Sequence, residues 1–164
     1  MQSDSLNTRG FHLLLFWMVV MGVVILDQTT KMVAIKAVEH GTSVLIPGIM
    51  NLVHAENTGA AFSIGQGHGI LFIAIAMLVV VGACMLVWRL SDLPLALIVS
   101  IALVAGGGLG NMINRMMTGS VTDFLATAFI DFPVFNIADI CITIGAFLTL
   151  VGCMLWNRRT TEDA

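Results

Sequence analysis

The run FNIADICITIGAFLTLVGCMLW, residues 135–156, sets the architecture of the chain. It opens on Asn136 and Asp139, three apart and so on one helical face, and continues from Ile140 to Trp156 without a charged residue. An apolar run of this length lies near the lower limit for a bilayer-spanning helix, and its polar mouth adds the remaining turn. Outward from it stand three more such runs: Leu93 to Leu109, Ile70 to Trp88 and Phe11 to Leu26. With their flanks they predict four spans, at about 11–35, 69–90, 93–116 and 136–157.

Composition agrees. The chain is 58% hydrophobic and 10% charged, with a mean hydropathy of +0.98, which a soluble domain of 164 residues cannot hide. That length holds one bundle and its loops, so residues 1–164 are expected to form a single membrane domain. A net charge of -3 with scattered basic residues excludes a surface that tracks nucleic acid. Cys84, Cys141 and Cys153 lie in apolar runs without metal-ligand spacing and read as small buried hydrophobes. The first span has only Arg9 as a basic flank and runs into Asp27, Gln28 and Lys31, where a secretory signal would have a small-residue cleavage site.

Four spans put both ends on one side, which carries Arg9, Arg89, Arg158 and Arg159. The other side has Lys31, Lys36 and Arg115, of which Lys31 and Arg115 continue helical patterns and count as intramembrane groups. The termini are therefore expected in the cytoplasm, with Trp88 and Trp156 at that interface. The outer side receives the two longer connections, at about 37–67 and 117–135. In the first, Val44 to Ile46 and Ile49 to Val53 flank Pro47-Gly48, and Ala61 to Ile64 follows Asn57-Thr58-Gly59. The fold class expected is an all-α membrane protein of four transmembrane helices, with a small extracytoplasmic β-sheet between helices 1 and 2. Gly65, Gly67 and Gly69 make a flexible lead into the second span.

Each ionisable group within a span costs several kcal/mol and needs a partner or a task. Here Asp27 and Lys31, Asn111 and Arg115, and Asn136 and Asp139 form three pairs, each on one helical face. Alternating span direction brings all three to the outer side, about 25 Å up from the cytoplasmic flank. Asp123 falls in the same zone. No Ser, His and Asp set or Cys and His pair accompanies these groups, because His12 is on the cytoplasmic side and the cysteines are deep. Two close carboxyls in a poorly solvated site share a proton, one acting as base toward water and the other as acid toward a carbonyl oxygen.

The residues alone leave alternatives. Asp123 and Asp139 can also cap a helix start in a purely structural network. Asn111 and Arg115 can tie spans together or hold a substrate backbone. Asp27 and Lys31 read as a helix-end ion pair that matters for integrity. Gly106-Gly107-Gly108-Leu109-Gly110 lies within a span and reads as a close-packing surface, not a phosphate loop. His40, His54 and His68 share no ligand spacing, so no metal is expected. A proton or ion transporter needs polar groups at several depths, and the middle and cytoplasmic halves of the last three spans are apolar.

Five blocks, in order, resemble the signatures of the lipoprotein signal peptidase (signal peptidase II) family. They are Ile25 to Lys31, Glu56 to Ser63, Gly108 to Arg115, Val121 to Phe124 and Phe135 to Asp139. The resemblance covers nearly the whole chain apart from its ends. It implies an aspartic endopeptidase of the bacterial inner membrane that cuts diacylglyceryl-modified prolipoproteins before the lipidated cysteine. It further implies that Asp123 and Asp139 are the catalytic dyad, that Asn57, Asn111, Arg115 and Asn136 line the site, and that Asp27 and Lys31 are structural. No cofactor is implied. Membrane lipid and globomycin-like cyclic peptides are the other expected partners, and the chain is expected to act as a monomer. Asn114 stands where the family usually has Asp, which removes a charge partner and leaves open how Arg115 is held. Glu56 stands where an aromatic residue is common, and no role is carried over to it.

Overall fold

The computed structural model describes residues 2–39, 41–59 and 65–162. Four helices form the body: α1 (Gln2–Ala37), α2 (Gly69–Arg89), α3 (Leu95–Thr118) and α4 (Ile137–Glu162). All four are long and apolar enough to cross a membrane. α1 and α4 run past the expected spans at the ends that carry the chain termini, because the polar flanks continue the helical hydrogen bonding beyond the apolar runs.

α3 is the axis of the bundle. Within its most apolar window 61% of residues are buried, against 33% for α1 and 11% for α2 and α4. Its glycines explain how neighbours come so close. A Cβ on Gly106 would stand 2.8 Å from Val23 Cβ of α1, and one on Gly107 would stand 2.5 Å from the Ala138 carbonyl of α4. Phe16, Val20, Val80, Val87, Ile98 and Ala105 meet in the core between α1, α2 and α3. The outward faces are apolar as well: Ile70, Leu78, Phe147 and Met154 are exposed. Such a continuous apolar girdle suits hydrocarbon, not water.

On top lies a three-stranded antiparallel sheet, β1 (Ser43–Ile46), β2 (Met50–Asn57) and β3 (Val121–Thr127), in that order. Pro47-Gly48 closes the first hairpin: the Ile49 N–H donates to the Ile46 carbonyl, and Gly48 takes the positive φ of 72° that this turn requires. The small sheet therefore forms as expected, but its third strand comes from the connection between α3 and α4. Ala61 to Ile64, read as a strand from sequence, lie outside the described residues.

Gly119, at φ 82°, ends α3 and turns the chain directly into β3. Ala34 of α1 packs with Phe124 and Leu125 of β3, and Met50, Leu52, Phe135 and Ile137 close around them. The sheet is thereby pinned to the C-terminal end of α1 and the N-terminal end of α4. A register shift between Leu52 and Ala55 precedes the pairing of Ala55 with Asp123, which holds β3 against the strand that carries Asn57.

Candidate active site

Asn136 occupies the position just before α4 and is fully buried. Its Oδ1 accepts the Asp139 N–H at 3.0 Å, and its own N–H donates to Asp139 Oδ2 at 3.1 Å. This reciprocal cap satisfies backbone donors that the first helical turn leaves open. The Asn136 Nδ2 then reaches across to β3 and donates to Asp123 Oδ1 at 2.6 Å. One residue thus bridges two carboxylates.

Each acid has a second amide donor. Asn57 Nδ2, at the end of β2, donates to Asp123 Oδ2 at 3.0 Å, and Asn111 Nδ2, on α3, donates to Asp139 Oδ1 at 2.8 Å. Asn111 Oδ1 accepts from Asn136 Nδ2 at 3.2 Å and from Lys31 Nζ at 3.0 Å. Burial pushes the Asp123 carboxyl up to about 6, helped by the nearby Asp139 and opposed by the bonds from Asn57 and Asn136.

Beneath the acids, the Lys31 ammonium spends its three protons on Asp27 Oδ2 at 2.8 Å, Asn111 Oδ1 and Asn114 Oδ1 at 2.6 Å. Asp27 Oδ1 accepts the Ala138 N–H at 3.1 Å, and Gln28 donates both to Asp27 and to the Gly110 carbonyl. The α1 ion pair therefore supports the first turn of α4, one residue from Asp139.

Arg115 donates to the Gly59 carbonyl at 2.6 Å and lies over the Phe72 ring at 5.0 Å. This answers how Arg115 is held beside Asn114: a loop carbonyl and an aromatic face keep it, while Asn114 serves Lys31. Asp123, Asp139, Asn57, Asn111 and Arg115 line one cavity of about 500 Å³. Its other walls are mostly apolar, from Val121, residues 132–135 and Ile140, Ile142 and Ile144 of α4, with Thr143 among them.

The family model described as Signal peptidase (SPase) II matches residues 19–155. The chain belongs to the signal peptidase II family. Among its relatives, the lipoprotein signal peptidase of Brevibacillus brevis is 38% identical over 145 residues, covering 88% of this chain and 97% of that protein. The one from Symbiobacterium thermophilum is 40% identical over 141 residues, covering 84% and 93%. A solved structure described as a bacterial membrane enzyme superposes with a TM-score of 0.77 at 33% identity, covering 85% of this chain and 87% of that one. The family's peptidase activity agrees with a cavity that holds paired carboxylates.

All eight residues singled out in the sequence fall in one connected network in this member of the signal peptidase II family. Gln28 and Phe72 were given no role, and Asn114 was noted only where it departs from the family pattern. Gln28 and Asn114 were visible as polar residues in spans, but their contacts depend on how α1 is rotated against α3. Phe72 gave no signal in an apolar run. Of the histidines, His54 Nε2 lies 2.8 Å from Glu56 Oε1, His68 Nδ1 lies 3.1 Å from the Gln66 carbonyl, and His40 lies outside the described residues. Glu56 also accepts from Ser120 and Thr122, and these bonds with His54 outweigh its burial and hold its carboxyl below the ordinary value.

Proposed function

We propose that this peptidase is an aspartic endopeptidase that removes the signal peptide from diacylglyceryl-modified prolipoproteins, cutting before the lipidated cysteine. The observation that carries the reading is the bridging of Asp123 and Asp139 by Asn136 at the wall of a largely apolar cavity that both acids line. One carboxylate takes a proton from water, and the oxygen adds to the scissile carbonyl carbon. The other carboxyl donates its proton to the carbonyl oxygen, giving a tetrahedral diol. Collapse of the diol breaks the C–N bond as the leaving nitrogen is protonated. The amide donors fix the outer lone pairs of both acids, so their geometry needs no reorganisation during the step. Arg115 holds substrate backbone. Its Nε is buried without a partner among the described residues, a donor left for a carbonyl.

The apolar wall along Ile140 and Ile144 suits a signal segment and acyl chains that remain in hydrocarbon. The protein acts as one domain and as a monomer in the bacterial inner membrane, with both termini in the cytoplasm and the acids near the outer face. A globomycin-like cyclic peptide competes for the same cavity. Processing of a diacylglyceryl peptide by purified protein tests the reading. Asp123→Asn and Asp139→Asn are each expected to keep the thermal midpoint within a few degrees and lose about 10²–10⁴-fold in kcat. Retained turnover in either variant would falsify the dyad, and equal cleavage of an unlipidated peptide would remove the role given to lipid.

A further inference from the structure

A second cavity, of about 570 Å³, lies on the sheet side of the acids. It shares Asn57, Asp123 and residues 132–134 with the first, so a chain gripped at Asp123 passes from one to the other. The chemistry of the two differs. The first continues along isoleucines of α4, whereas the second adds Glu56, Gln66 and Asp131, with no Lys or Arg among the described residues that line it. Asp131 is exposed, and Glu56 keeps its charge through the bonds from Ser120, Thr122 and His54.

This inference rests on the function proposed above. In such a substrate the segment before the cut is an apolar helix and the cysteine carries acyl chains, so both stay in the bilayer. Only the polypeptide after the cysteine is bound for water. Of two cavities meeting at Asp123, the polar one on the sheet side matches that segment. We propose that the second cavity binds the residues following the lipidated cysteine, and that Asp131 and Glu56 make it favour basic over acidic side chains there. Cleavage adds a cationic group at the same place, the new α-ammonium of the cysteine, so the acidic lining also suits the product.

The test uses three diacylglyceryl peptides that carry Ser-Ser, Lys-Lys or Glu-Glu directly after the cysteine, with purified protein in detergent. At low ionic strength, kcat/KM for the lysine peptide is expected to exceed that for the glutamate peptide by about tenfold, and salt should shrink the ratio. Asp131→Asn is expected to lower the ratio severalfold and Asp131→Lys to bring it below one. Because each variant is read as a ratio, a general loss of activity does not mimic the effect. If the wild type cleaves the serine peptide and handles the two charged ones equally, the subsite assignment fails while the proposed function stands. If the ratio ignores both Asp131 variants, the assignment fails too. Cleavage of none of the three overturns both.

Discussion

Asp123 is 3% exposed, held between the side-chain amides of Asn57 and Asn136, and its carboxyl is raised from 3.8 to about 6. A raised carboxyl means that the folded state binds this proton more tightly than the unfolded chain does. Its stabilising contribution is complete below 3.8 and is lost as pH rises through about 6. Thermal unfolding in detergent should accordingly give a midpoint that falls across that window, with a shallower fall in Asp123→Asn. In the proposed dyad the two acids titrate as a pair, so kcat/KM is expected to fall as pH rises through about 6, and a profile flat from pH 5 to pH 8 would contradict it. Asp27 makes a different demand. It is fully buried, pairs with Lys31 and caps Ala138. Asp27→Asn leaves a buried ammonium with amide partners alone, at a cost of about 3–5 kcal/mol, which a lower thermal midpoint and a poorer yield of monodisperse protein would register.

At the level of elements, the α3 glycines set the distance at which α4 presents Asp139. A methyl group on Gly107 would meet the Ala138 carbonyl at 2.5 Å and Ile142 Cγ1 at 2.7 Å. Gly107→Ala should therefore cost about 1–3 kcal/mol of stability, and kcat/KM should fall further than that loss explains, because α4 shifts beside its acid. Gly82→Ala on α2, where a Cβ meets nothing within 4 Å, is the control and should change neither. The four helices were legible because apolar runs and i, i+3 or i, i+4 polar pairs report on a single helix. β3 was not. Val121 to Leu125 are buried on both faces, so no alternation marks them as a strand, and the partner strand β2 lies in the other connection. Asp123 and Asn57 were thus recognised as residues of the site, while the strand pairing that joins them stayed hidden. The partners of Asn114 were hidden for a related reason: its neighbour Lys31 is 83 positions away, and only helix rotation brings the two together.

Across the whole molecule, the polar network gathers at one end of the bundle, and the short turn after α2 lies at the other. The orientation proposed from the basic flanks can be checked with single cysteines in a background lacking Cys84, Cys141 and Cys153. A cysteine at Asp131 should react with a membrane-impermeant maleimide in intact spheroplasts, and one at Asp92 only after permeabilisation. The reverse pattern would invert the topology and move the chemistry to the cytoplasm. Asn136 has a wider implication, since the amide that starts α4 is also the one that orients Asp123. Under the proposed mechanism, a newborn chain whose last helix has not docked lacks this bridge and stays latent toward the proteins inserting around it, with folding itself as the safety catch.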